Sequence, residues 1–132
     1  MEKAVPGEGG RREAWRLGEE LFLPVHELHF TRDEGYPREV EILLNESDSD
    51  VWSFRRDGRI ELPLDMLGLR STRGVPFLAP EVVLLYKAKS PRAIDEQDFA
   101  AVGERLSLAR RKWLRGAIQL CHPGHPWLFR LM

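Results

Sequence analysis

The chain has 132 residues, 42% of them hydrophobic, and sets 20 Lys and Arg against 21 Asp and Glu for a net charge of -1. That length predicts one domain able to bury about two thirds of its unfolded surface without staples, and the balanced charge excludes a global field that would recruit nucleic acid or an anionic membrane. A single cysteine, Cys121, excludes an intramolecular disulfide and a Cys-rich zinc pattern, and no apolar run reaches the length of a membrane span or signal-peptide core, so a cytoplasmic protein is expected.

Residues 1–13 hold Pro6, Gly7, Gly9 and Gly10 among charged side chains, show no apolar periodicity, and read as a flexible tail ahead of a single domain over 14–132. Residues 21–30 are rich in strand formers, with His26, Leu28 and Phe30 on one face and Val25, Glu27 and His29 on the other. A polar turn over 31–37 leads to a second alternating stretch, in which Val40, Ile42 and Leu44 point inward and Glu39, Glu41 and Leu43 lie opposite. The two stretches are expected to pair antiparallel.

Residues 45–50 carry turn chemistry, and 51–54 come next as a strand with Trp52 and Phe54 on one side. Asp57-Gly58 signals a two-residue hairpin returning through Ile60 and Leu62, and 63–68 read as a short helical connection. The chain is organised around 75–99, which reads as a short strand, a helix from Pro80 to about Lys89, a break at Ser90-Pro91, and a second helix start. Pro80 suits a first helical position, Glu81 complements the helix dipole, and the run from Val82 to Tyr86 predicts an enclosed helix. Asp95 is expected as an N-cap with Asp98 three residues on, ahead of Phe99, Val102 and Leu106. Ser107 should cap a last long helix carrying Leu114, Ala117, Ile118 and Cys121, which His122-Pro123-Gly124 stops. Strands first and three helices afterwards predict an α+β fold, a mainly antiparallel sheet with the helices segregated to one side.

Among groups that could carry chemistry, Glu39 and Glu41 share a strand face and could reach a divalent cation or activate a hydroxyl, although glutamates alternating with aliphatics describe any half-solvated strand. Lys87 and Lys89 are candidates for a phosphate, but positions i and i+2 of a helix diverge, so one site should not use both; Lys87 is expected to be the one facing an anion. Asp48-Ser49-Asp50 has the form of a metal-binding pair but the setting of an Asx turn, and Gly9-Gly10 lacks the preceding strand that a phosphate loop requires. The histidines His26, His29, His122 and His125 make no zinc-helix spacing, and His26 reads as a hydrogen-bonded interior residue. Arg105, Arg110, Arg111, Lys112 and Arg115 read as a solvated helix face.

Several strings taken in series, Val25-His26-Glu27-Leu28, residues 41–46, residues 52–57, residues 78–89, residues 95–99 and residues 122–127, resemble bacterial nucleotidyltransferase-like proteins related to aminoglycoside adenylyltransferases, from Trp15 through Trp127. The resemblance implies transfer of a nucleoside monophosphate from a nucleoside triphosphate, with ATP and Mg2+ as cofactors, to an acceptor hydroxyl. It implies Glu41 as a catalytic, metal-binding carboxylate, Lys87 and Arg92 as nucleotide-binding residues, and Arg92, Asp95 and Asp98 as the string that fixes the helix junction. The family's glycine turn and first Asp-x-Asp pair precede the segment equivalent to Trp15, and Ile94 stands where a lysine is usual. The expectation is therefore the C-terminal portion of such an enzyme, truncated, inactive alone and binding neither Mg2+ nor ATP tightly. The alternatives are a non-catalytic interaction module, whose exposed sheet edge takes a protein partner or a second copy in a homo-oligomer, and an RNA-associated protein using the basic last helix.

Overall fold

The computed structural model describes residues 2–4, 11–16 and 18–132. Antiparallel strands β1 (Glu2–Ala4), β2 (Arg12–Ala14), β3 (Glu27–Thr31) and β4 (Glu39–Leu43) form a sheet in the order β2-β1-β3-β4. The two alternating stretches pair as expected, with Leu28 opposite Ile42, His29 opposite Glu41 and Phe30 opposite Val40. Successive side chains on a strand point to opposite faces, and Leu28 and His29 are both buried, so the middle of β3 is covered on each side. Val40 and Ile42, expected inward, stay about 40% exposed, on a strand that lies at the sheet edge among the described residues. Part of the stretch expected as a flexible tail is strand: β1 and β2 pair with each other, and β1 also pairs with β3. The ladder satisfies backbone groups without needing an apolar face, which is why periodicity gave no warning. Residues 5–10 of that stretch lie outside the described residues.

The chain divides into two compact units, Met1–Glu46 and Ser47–Met132. In the second unit β5 (Ser47–Asp48), β6 (Val51–Ser53) and β7 (Glu61–Pro63) form a three-stranded sheet. Trp52 and Leu62 are cross-strand partners, both buried, and Phe54 lies beside them. The turn between β6 and β7 is longer than the two-residue hairpin expected at Asp57-Gly58. The Phe54 N–H donates to the Ile60 carbonyl at 2.8 Å, so residues 55–59 form the loop, and the Asp57 carboxylate is taken up by the Arg59 N–H at 3.1 Å and its Nε at 2.8 Å.

The short helical connection is α1 (Leu64–Leu67), and β8 (Gly68–Arg70) then pairs with β9 (Pro76–Leu78). Helix α2 (Pro80–Lys87) has proline at its first position and buries Glu81, Val82, Leu84 and Leu85. It ends at Lys87 rather than Lys89, with Ala88 as its C-cap. Glu81 does more than face the helix dipole: its Oε1 accepts from Arg110 Nη1 at 2.5 Å, an ion pair across to α4 (Leu108–Cys121). α3 (Ala93–Val102) starts earlier than expected, since Arg92 is extended and serves as N-cap, placing Asp95 at the third helical position. A 3-10 turn, Gly103–Arg105, comes after it; there a Cβ on Gly103 would lie 3.1 Å from the Phe99 ring. The Ser107 hydroxyl caps α4 by accepting from the Arg110 N–H at 3.4 Å, and Leu114, Ala117 and Ile118 face the core as the spacing predicts. α5 (Trp127–Arg130) closes the unit: Trp127 stacks on Phe99 at 4.3 Å between centroids, and its Nε1 donates to Glu96 Oε1 at 2.9 Å. The fold is α+β, with α1 and α5 as one-turn helices beside the three expected. Among the described residues no helix is long and apolar enough to cross a membrane.

Candidate functional site

The break at Ser90-Pro91 turns α3 back so that its first turn faces the end of α2, and the charges of the two helices meet there. Lys87 Nζ donates to Asp95 Oδ1 and to Asp98 Oδ2, each at 2.7 Å. Arg92 donates to Asp95 Oδ2 from both its backbone N–H and its Nε, at 2.9 Å. The Arg92 guanidinium, followed by the Lys87 ammonium, holds the Asp95 carboxyl well below the ordinary carboxylate range, and hydrogen bonding to Asp95 raises Lys87 and Arg92 in return.

Beside this lattice lies a surface recess of about 290 Å³, lined by Arg56, Tyr86, Lys87, Lys89, Ser90, Arg92 and Asp95. Arg56 is held by donating to the Tyr86 carbonyl at 2.9 Å, with its guanidinium 5.3 Å from the Tyr86 ring centroid. Four cations line the recess and two carboxylates, Asp95 and Asp98, offset two of them, so the surplus positive charge sits on Arg56 and Lys89. A planar guanidinium beside a flexible ammonium suits a phosphate or carboxylate. Lys87 and Lys89 both line the recess, contrary to the helical-divergence argument: Lys89 lies beyond the last helical residue, and long lysine side chains can reach one recess from different faces. Lys87, expected to face an anion, has its ammonium committed to Asp95 and Asp98. Arg56, Tyr86 and Ser90 were missed as site residues. The hairpin that presents Arg56 was legible, but nothing in its spacing says that it reaches α2.

Glu41 belongs to the first unit, half-exposed on β4. Its register partner is His29, and Glu27 precedes His29 by two residues on the same face. His29 Nε2 lies 3.6 Å from Glu27 Oε2 and 4.0 Å from Glu41 Oε1. Magnesium prefers an all-oxygen octahedral set, so an imidazole beside two carboxylates fits that ion poorly. Glu39 instead lies 3.9 Å from Arg12 Nη1. The faces of Glu27 and His29 and the pairing with Glu41 were both legible; what was missing was the register that sets the three side by side.

The other candidates disperse. Asp48-Ser49-Asp50 is a tight turn with Ser49 at φ +51° and the Ser49 hydroxyl 3.4 Å from Asp48 Oδ1. Gly9-Gly10 lies outside the described residues. His26, expected as an interior residue, is partly exposed with its Nδ1 3.6 Å from Glu46. His125 Nδ1 accepts from the Trp127 N–H, and burial, then neighbouring His122, depress its pKa. Burial pushes the Cys121 thiol up, and its Sγ bonds the Ala117 carbonyl. Of the basic stretch, Arg110 serves Glu81 and Arg111 donates to the Glu104 carbonyl at 2.6 Å, so that face is partly structural. Comparison with protein-family models, with curated proteins and with solved structures found no match.

Proposed function

We propose that the chain is a nucleotidyltransferase-like domain whose recess between the end of α2 and the start of α3 takes the phosphates of a nucleoside triphosphate. The observation that carries this reading is the surplus of positive charge on Arg56 and Lys89 beside a lattice in which Asp95 fixes Arg92 and Lys87. Side chains held in advance lose less entropy on binding, so a shallow recess can still discriminate for a polyanion. Lys87 then acts by positioning α3 rather than by meeting the phosphates itself. The isolated chain is expected to bind ATP weakly and to transfer no nucleotide, since Glu41 stands beside an imidazole rather than a second pair of magnesium carboxylates.

Calorimetry with ATP, tripolyphosphate and adenosine tests the recess. ATP and tripolyphosphate should both bind, more weakly as salt rises, and the double variant Arg56→Ala, Lys89→Ala should lose most of that affinity. Adenosine binding as well as ATP, or the double variant binding ATP like the wild type, would overturn the reading.

A second reading, a protein-interaction module, has one observation in its favour. Edge strand β4 leaves Leu43 63% exposed beside the partly exposed Val40 and Ile42, an apolar border open to strand addition. Light scattering on the purified chain separates the two, because a strict monomer counts against edge pairing with a second copy.

A further inference from the structure

We infer that Glu27, His29 and Glu41 form a binding site for a transition-series dication of the zinc class. The site is independent of the phosphate recess and rests on strand register. Pairing of β3 with β4 sets His29 opposite Glu41, and the two-residue period of β3 puts Glu27 on the same face. One ligand atom from each of the three side chains lies within 4.8 Å of the other two.

The distances suit an ion between the groups better than direct contact. At 3.6 and 4.0 Å, the separations from His29 Nε2 to the two carboxylates exceed hydrogen-bond length. In the tetrahedral geometry of a zinc-class ion, ligands at about 2.0 to 2.2 Å stand about 3.3 to 3.6 Å apart. The separation of 3.6 Å to Glu27 meets that range, and the 4.0 Å to Glu41 exceeds it by an amount that a side-chain rotation can close. The Glu27 and Glu41 side chains are 38% and 52% exposed, so a small rotation of either carboxylate can bring the third pair into range.

The acidic pair alone would mean little on a solvated sheet. The imidazole sets it apart: the His29 side chain is only 6% exposed, and its Nδ1 is buried without a hydrogen-bond partner among the described residues. His29 Nε2, the nitrogen that faces the carboxylates, lies beyond hydrogen-bond length from both, so a cation between them would engage all three groups; Nδ1 lies on the other side of the ring and is not reached by that ion. Nitrogen beside carboxylate oxygen favours zinc or cobalt over magnesium and calcium. Glu2 of β1, opposite His29 in register, places a further carboxylate-bearing residue on the same face.

The test uses the whole chain, stripped with a chelator and free of nucleotide, titrated with Zn2+ by calorimetry and with Co2+ by visible absorption. One equivalent should bind, and excess Mg2+ should not displace it. Glu27→Gln and Glu41→Gln should each weaken binding at least about tenfold, the scale on which even outer-shell metal partners act. Both substitutions are at exposed carboxylates, so unchanged circular dichroism will separate loss of a ligand from loss of fold. Absence of Zn2+ and Co2+ binding overturns the site. So does binding undiminished in both variants, which would move the ion to other side chains such as Cys121 and His122, and so does displacement by Mg2+ at comparable concentration.

Discussion

Asp95 is buried, yet it accepts hydrogen bonds from Arg92 and Lys87, and these hold its carboxyl below the ordinary value of 3.8. A carboxyl depressed in the folded state contributes stability that is present above its unfolded value and is lost as pH falls toward its folded one. Asp57, lowered to about 2 by its hydrogen bonds from Arg59, adds a loss over the window from 3.8 to about 2. Urea midpoints measured through that acid range should therefore fall steeply for the wild type. Asp95→Asn should be less stable at neutral pH and show a shallower acid decline; an equally steep decline in the variant would remove Asp95 as a source. The helix-start role of Asp95 was legible from its spacing to Asp98, though the cap itself sits at Arg92. Its bond to Lys87 was not, because it depends on the angle at Ser90-Pro91, which no local pattern encodes.

At the level of elements, the β8–β9 hairpin shows why some structure leaves little trace in sequence. Gly68, Leu69 and Arg70 carry one apolar residue among them, so no alternation marks β8, and only pairing with β9 makes it a strand. Its turn is held by the Ser71 carbonyl accepting from Gly74, and Gly74 sits at φ +78°. That conformation disfavours any side chain, so Gly74→Ala should cost about 1 to 2 kcal/mol, read as a lowered urea midpoint with unchanged slope. No change in midpoint would mean the turn relaxes freely. Asp57-Gly58 teaches the converse. The signal was strong, yet Gly58 avoids positive φ because the ladder closes at Phe54 and Ile60, and the loop has room for an ordinary backbone.

Across the whole molecule, the α+β class was legible because long apolar periodicities dominate it, whereas the division at Glu46 was not, since residues 45–50 read as one turn among several. The principal core cluster, including Trp52, Phe54, Leu85, Leu114 and Trp127, lies wholly within 47–132. A fragment of those residues should accordingly unfold in one cooperative thermal transition tracked by tryptophan emission; a gradual, sloping loss of signal would show that its core does not suffice. One contact in that core has a kinetic consequence. A four-residue helix cannot repay its own nucleation, so α5 persists only while the Trp127 indole stays stacked on Phe99 and bonded to Glu96. The C-terminus therefore cannot fray residue by residue. It opens in a single event when the indole leaves its slot, and amide protons of α5 should exchange together at the rate of that event.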